Sequence, residues 1–328
     1  MVMYWVALLA ISILIYLLLD GFDLGVGMLF GLAGSEAKRD AMLSTVAPVW
    51  DGNETWLIVT RVIMWGSFPV VYAMVMSALY IPVVVMLLGL ILRGVAFEFR
   101  GKALRSRRVW DVGFVAGSFA ASFMQGAMVG ALVEGLQFSN GDYTGGTLGW
   151  LTAFSALCGI GLCFGYSLLG ACWLVRKSDG PVRDAARSQI PPLATGVLVF
   201  LVVVFAYALA EHLPILQRWT DRPYLLVFPA IGAGAAAMLA KSILVHDDYW
   251  PFHMVALIFV AAFATLALSF WPYMIPFVIT IDEAAAPHAS LAFMFWAAGL
   301  VVFPLMLLYV AVGYRVFRGK AAPAADHY

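Results

Sequence analysis

Five charged side chains in the first hundred residues have the types and spacing to handle protons. Asp20 and Asp23 lie three positions apart in LLLDGFDLGVGMLFG, Asp51 and Glu54 three apart in APVWDGNETWLIVTR, and Arg93 follows a long apolar run. An i, i+3 pair shares one face of a helix. A charge at the centre of a bilayer costs roughly 2.5–3.5 kcal/mol, so two unpaired aspartates would cost about 5–7 kcal/mol. They must be paired, hydrated or protonated. Desolvation favours the neutral acid, which suits such a group to take up and release protons near neutral pH. A second reading stands beside this one: the acids cap helices and neutralise Arg93. Asp51, Gly52 and Asn53 look like a helix start, where an Asp or Asn cap contributes about 1 kcal/mol.

These residues need a membrane around them, and the composition supplies one. Of 328 residues, 63% are hydrophobic and only 12% charged, with no net charge. Mean hydropathy is +0.94. Soluble domains hold roughly 45–50% apolar residues, so the chain reads as an all-α integral membrane protein forming one polytopic domain, with no feature pointing to nucleic acid. Its first apolar run reads as a retained span. Nine runs suit membrane spans, at 4–30, 54–68, 70–92, 112–133, 149–175, 192–211, 224–243, 252–272 and 290–314. Residues 54–92 as one helix would reach roughly 58 Å, against a hydrocarbon core of about 30 Å. A hairpin turning at Ser67, Phe68 and Pro69 is therefore expected.

Basic residues cluster after every odd-numbered span: Lys38 and Arg39, then Arg93 to Arg108, then Arg176 to Arg187, then Lys241, then Arg315 to Lys320. The alternation predicts an external N-terminus and a cytoplasmic C-terminus. It places Asp51 and Glu54 at the cytoplasmic entrance of the second span, with Asp20, Asp23 and Arg93 nearby, and TIDEAAAP on the outer side. The polar stretch 176–192 is the expected divider between a first bundle of about 1–175 and a second of about 190–318. SNGDYTGG reads as a turn, and 319–328 as a flexible tail. Gly21/Gly25 and Gly27/Gly31 repeat at a spacing that lets helices approach closely in lipid. Arg61, inside the second span, calls for an acid on another span or another chain.

The three cysteines, Cys158, Cys163 and Cys172, lack metal-site spacing. The five histidines, His212, His246, His253, His288 and His327, sit at span ends, in loops or in the tail. No metal site and no haem held by this chain alone is expected.

The segments LLDGFDLGVGML (18–29), APVWDGNETWLI (47–58), RGVAFEFRGK (93–102), WDVGFVAGS (110–118), PYMIPFVITIDEAAAP (272–287) and YRVFRGK (314–320) resemble, in order, subunit II of the cytochrome bd-type quinol oxidases. The compact length is similar to the short, cyanide-insensitive branch. The resemblance implies two four-helix bundles plus a peripheral helix in the bacterial inner membrane. It implies a heterodimer with a haem-bearing subunit I that oxidises quinol and reduces dioxygen to water. Haem b, and in some members haem d, belongs to that partner; some members add a small single-span accessory subunit or a structural quinone. This chain would then brace the partner and line a cytoplasmic proton path without being catalytic alone. By motif, Asp51 is the first proton-path candidate, with Asp20, Asp23 and Glu54. Arg93, Trp50 and Asn53 would supply the charge partner or a quinone pocket. Glu54 is a departure from the family resemblance, since a neutral side chain can occupy that position in other members. An ion-coupled transporter and a purely structural membrane subunit are the competing classes; the transporter lacks the paired broken helices expected of a midplane substrate site.

Overall fold

A computed structural model describes residues 1–103, 105–139, 141–211 and 214–321, without the side chains of 214–217. Thirteen α-helices carry the fold in these residues: α1 (Val2–Phe30), α2 (Glu36–Val46), α3 (Trp50–Ser67), α4 (Pro69–Arg100), α5 (Arg107–Glu134), α6 (Ala153–Lys177), α7 (Gly180–Ala210), α8 (Pro214–Asp221), α9 (Val227–Leu244), α10 (Trp250–Phe270), α11 (Ile281–Ala284), α12 (His288–Met294) and α13 (Val302–Val316). Two small hairpins connect them, β1 (Phe138–Ser139) with β2 (Asp142–Tyr143), and β3 (Tyr273–Ile275) with β4 (Ile279–Thr280).

Eight of the nine expected spans are helices long and apolar enough to cross a membrane; α12, a π-helical turn at Phe295–Gly299 and α13 together make the last. The ninth is α3. Its 18 residues reach about 27 Å, but Asp51, Glu54 and Arg61 leave it too polar to count by composition. The expected hairpin is present. Ser67 ends α3, Phe68 leaves helical geometry at φ −136°, ψ 60°, and Pro69 opens α4, where a missing N–H costs no hydrogen bond. Trp50 at the start of α3 packs on Phe97 near the end of α4, with ring centroids 5.0 Å apart. Inside α4, Pro82 displaces the backbone at Leu79 to φ −117°, ψ 20°, because its ring and missing N–H disrupt the preceding turn.

The two glycine pairs serve two different neighbours. A Cβ on Gly25 would lie 1.8 Å from the Tyr166 carbonyl oxygen of α6, and one on Gly21 would strike the Tyr166 ring. One on Gly27 would strike Ser118 of α5, while one on Gly31 would meet Val115. Gly170 of α6 approaches Gly25 in return. Thus α1 sits in close contact with α5 and α6, and its second half, Asp20 to Gly27, is buried without interruption.

Two expectations change. The stretch 176–192 is not a loop: α7 begins at Gly180 and continues through Pro191 and Pro192. Both prolines stand in the interior of α7, where their missing N–H groups leave the carbonyls of Arg187 and Ser188 without the usual helical donor, and the helix continues beyond them in an apolar run. Secondly, Asp51 does not cap α3; Val49 holds that position without a side-chain bond, and Asp51 lies in the first turn. Between the first two spans lies α2, capped by Ser35, whose hydroxyl accepts from the Lys38 amide. Of the expected tail, 322–328 lie outside the described residues. Ala321 donates to the Lys177 carbonyl at 2.8 Å, and Lys320 pairs with Asp179.

Candidate functional site: a buried carboxylate pair against one arginine

Helix α1 presents Asp20 and Asp23 on one face, both fully buried. Helix α4 brings Arg93, 1% exposed, opposite them. Arg93 Nη1 donates to Asp20 Oδ1 at 2.9 Å, and Nη2 stands 4.0 Å from Asp23 Oδ2. Asn53 of α3 completes the enclosure. Its Nδ2 donates to Asp23 Oδ2 at 2.7 Å and to the Leu19 carbonyl at 3.3 Å. Its Oδ1 accepts from the Tyr314 hydroxyl of α13 at 2.9 Å. Three oxygen and nitrogen atoms remain buried without a partner, Asp20 Oδ2, Asp23 Oδ1 and Arg93 Nε. With both acids ionised the set carries one negative charge in excess, in surroundings where an uncompensated charge is costly.

Away from this centre the polar chain continues. Tyr16, one helical turn before Asp20, faces it. Gln125 Nε2 donates to the Tyr16 hydroxyl and Gln125 Oε1 accepts from Tyr166, each at 2.8 Å, all three residues being buried. In the other direction a cavity of about 280 Å³ lies beside Tyr314, lined among others by Thr45, Val49, Trp173 and Lys177.

The structure therefore brings Asp20, Asp23, Arg93 and Asn53 into contact and leaves Asp51 out. Asp51 is exposed; its carbonyl accepts from Thr55, and its carboxylate makes no described hydrogen bond or ion pair. Glu54 is half-buried between the two, close enough to feel Asp20, Arg93 and Asp51. Trp50 packs on Phe97. A quinone headgroup does not fit these residues as they stand: Arg93 and Asn53 are committed to Asp20, Asp23 and Tyr314, and neither they nor Trp50 line the cavity. Arg61 meets only the Tyr72 hydroxyl at 3.4 Å and Met76 Sδ at 3.8 Å, so no span of the described chain supplies its acid. Glu283 of TIDEAAAP closes a capping box with Thr280. Ala286, just beyond, donates to the Ser67 carbonyl, at the end of the hairpin opposite Asp51.

No group of three or more His, Cys, Asp or Glu side chains gathers as a metal cage among the described residues. His246, His253 and His288 lie at helix ends, and His212 and His327 fall outside the described residues. The three cysteines are free.

Sequence reasoning missed Tyr16, Gln125, Tyr166 and Tyr314. Tyr16 was open to detection, since it stands four residues before Asp20. The others come from distant helices. It also missed a second ionic centre, in which Arg100, 3% exposed, donates to Asp111 and Asp40 at 2.5 Å and to Glu36 at 2.7 Å. That centre binds α2, α4 and α5 together.

Comparison with known proteins decides the family. The sequence profile described as cytochrome bd terminal oxidase subunit II matches residues 1–317. The chain belongs to that family. Among curated relatives of this subunit II, a cytochrome bd ubiquinol oxidase subunit 2 of Bacillus subtilis is 30% identical over 97% of this chain and 96% of its own. A probable cytochrome oxidase subunit 2 of Haemophilus influenzae is 30% identical over 94% and 89%. The cytochrome bd-I ubiquinol oxidase subunit 2 of Escherichia coli is 27% identical over 96% and 94%. In fold, subunit II is similar to a chain of the bd oxidase from Geobacillus thermodenitrificans, with a TM-score of 0.80, 14% identity and 97% of both chains covered. It is thus a multi-pass membrane subunit of a terminal oxidase.

Proposed function

We propose that this subunit II braces a haem-bearing subunit I in the bacterial inner membrane and lines a path by which cytoplasmic protons reach the site of dioxygen reduction. Quinol oxidised by the complex supplies the electrons, and haem in the partner supplies the oxygen chemistry. The observation that carries the reading is the buried Asp20–Asp23–Arg93 set, whose two free carboxylate oxygens lie behind Glu54 and Asp51. Intramembrane ionisable groups that face the protein interior commonly mark ion pathways. Asp51, exposed, would gather protons at the mouth, and Glu54 would pass them inward. The alternation of basic loops supports a cytoplasmic mouth and an external N-terminus.

The polar helix α3 also suits contact with subunit I better than contact with lipid. Arg61 and the exposed Ile58, Val62 and Trp65 share its outer surface. A carboxylate of the partner would complete Arg61.

The test uses the intact complex in liposomes, with proton uptake followed during quinol-driven oxygen consumption. Asp51→Asn and Glu54→Gln are expected to slow uptake at least about tenfold, the ordinary reach of one proton-transfer group, with haem absorption intact. Normal uptake and turnover in both variants would refute the path. Loss of haem absorption instead would favour a purely structural role.

A further inference from the structure

The two buried aspartates are not equivalent. Asp20 sits 2.9 Å from Arg93, at ion-pair distance, and Tyr16 faces it from the same side of α1. Tyr16 is held in turn by Gln125, and Gln125 by Tyr166, so the hydroxyl beside Asp20 has its orientation fixed from α5 and α6. Asp23 is a turn closer to the end of α1 and stands 4.0 Å from Arg93. Its other contact is Asn53, whose amide donates to Oδ2 and leaves Oδ1 unpartnered. Tyr314 donates into Asn53, which fixes the amide so that its N–H points at Asp23. A hydrogen bond to one oxygen of a carboxylate leaves the other free to bind a proton.

We propose that Asp23 is the proton-exchanging member of the pair and Asp20 the fixed counter-ion of Arg93, held in that role by the Tyr16–Gln125–Tyr166 hydrogen-bond chain. The assignment rests on the proton-path reading given above. In one exchange Asp23 Oδ1 takes a proton and the set goes from one excess negative charge to neutrality. Release restores the anion, and Arg93 stays paired with Asp20 throughout. The charged or titratable groups that face Asp23 are Asp20 on α1, Glu54 on α3, Arg93 on α4 and Tyr314 on α13. Of these, Glu54 and Tyr314 are half-buried while Asp20 and Arg93 are enclosed, and Glu54 is the carboxylate next to exposed Asp51, which makes it the donor. Tyr16, Gln125 and Tyr166 are positioning residues: they touch neither the entering proton nor the mouth.

The experiment compares variants of the assembled complex for haem content, proton uptake and the pH dependence of turnover. Asp23→Asn leaves one acid against one base, so assembly is retained while turnover falls at least about tenfold and loses its pH dependence. Asp20→Asn takes the partner from a buried arginine, so the yield of assembled complex falls. Tyr16→Phe keeps assembly and moves the pH–rate profile by about one unit, a tenfold change in proton affinity. Tyr166→Phe moves it in the same direction and by less. Turnover and pH profile unchanged in Asp23→Asn, with Asp20→Asn assembled and inactive, would reverse the assignment while leaving a proton path in place. An unmoved profile in both tyrosine variants would overturn the positioning role. Intact proton uptake in both aspartate variants would instead remove the proton-path reading itself.

Discussion

Arg93 and Asp20, 73 positions apart in the chain, form an ion pair at 2.9 Å that neither solvent nor lipid reaches. Removing one member of such a pair strands the other, a loss of about 3–5 kcal/mol. Arg93→Leu is expected to abolish most assembled complex, read by size-exclusion chromatography and haem absorption of solubilised membranes. Arg93→Lys should retain a larger share, since a point charge still reaches Asp20 while the fork toward Asp23 is lost.

Helix α1 tolerates no side chain where it meets α6. Gly25→Ala places a Cβ against the Tyr166 carbonyl oxygen, and backbone that cannot yield must separate. Overpacking of this kind costs about 1–3 kcal/mol, to be read as a lowered thermal midpoint of the complex. Gly34→Ala, with open space around it, should leave that midpoint unchanged.

Arg100 gathers three carboxylates from α2 and α5. Charge-assisted hydrogen bonds contribute about 1.5–3 kcal/mol each, although Glu36 and Asp40 are partly exposed and count for less. Arg100→Met should raise hydrogen exchange across α2 at least about tenfold. An α2 protected as in the unaltered protein would show the cluster to be dispensable.

Arg61→Leu tests the surface offered to the partner. Truncating one side of a buried charge pair at an interface costs about 2–5 kcal/mol, so co-purification of the two subunits should weaken at least about tenfold, and Arg61→Lys should recover part of it. Equal recovery of partner from all three proteins would place α3 elsewhere.

Glu283 lies in an exposed turn, where the Thr280 hydroxyl and then the Thr280 amide hold its carboxyl below the usual carboxylate range. The folded value is depressed, so the stabilisation is present above the unfolded value of about 4.3 and lost as pH falls through the folded one. Hydrogen exchange in 280–284 should rise at acid pH, and Glu283→Gln should remove that dependence.

Much of this was legible from residue types. Asp20 and Asp23 had to share a face because a helix repeats every 3.6 residues. Residues 54–92 had to turn because the bilayer is thinner than one continuous helix. Gly25 and Gly27 marked close approach, but not that one pair meets α6 and the other α5. The stretch 176–192 misled because charge and two prolines signal a loop, while α7 starts at Gly180 and runs through both prolines in its interior.

The sequence by itself determined the membrane, the long apolar helices that cross it and the carboxylates that needed a partner, since these follow from hydropathy and helical period. Tertiary structure alone decided which carboxylate met which group. Asp51 and Asp23 belong to motifs of equal prominence, yet one is exposed and the other enclosed. The difference arises because Asn53 and Arg93 reach Asp23 from two other helices while Tyr314 of a third holds Asn53 in place, and distances between helices are set by packing, which no local pattern records.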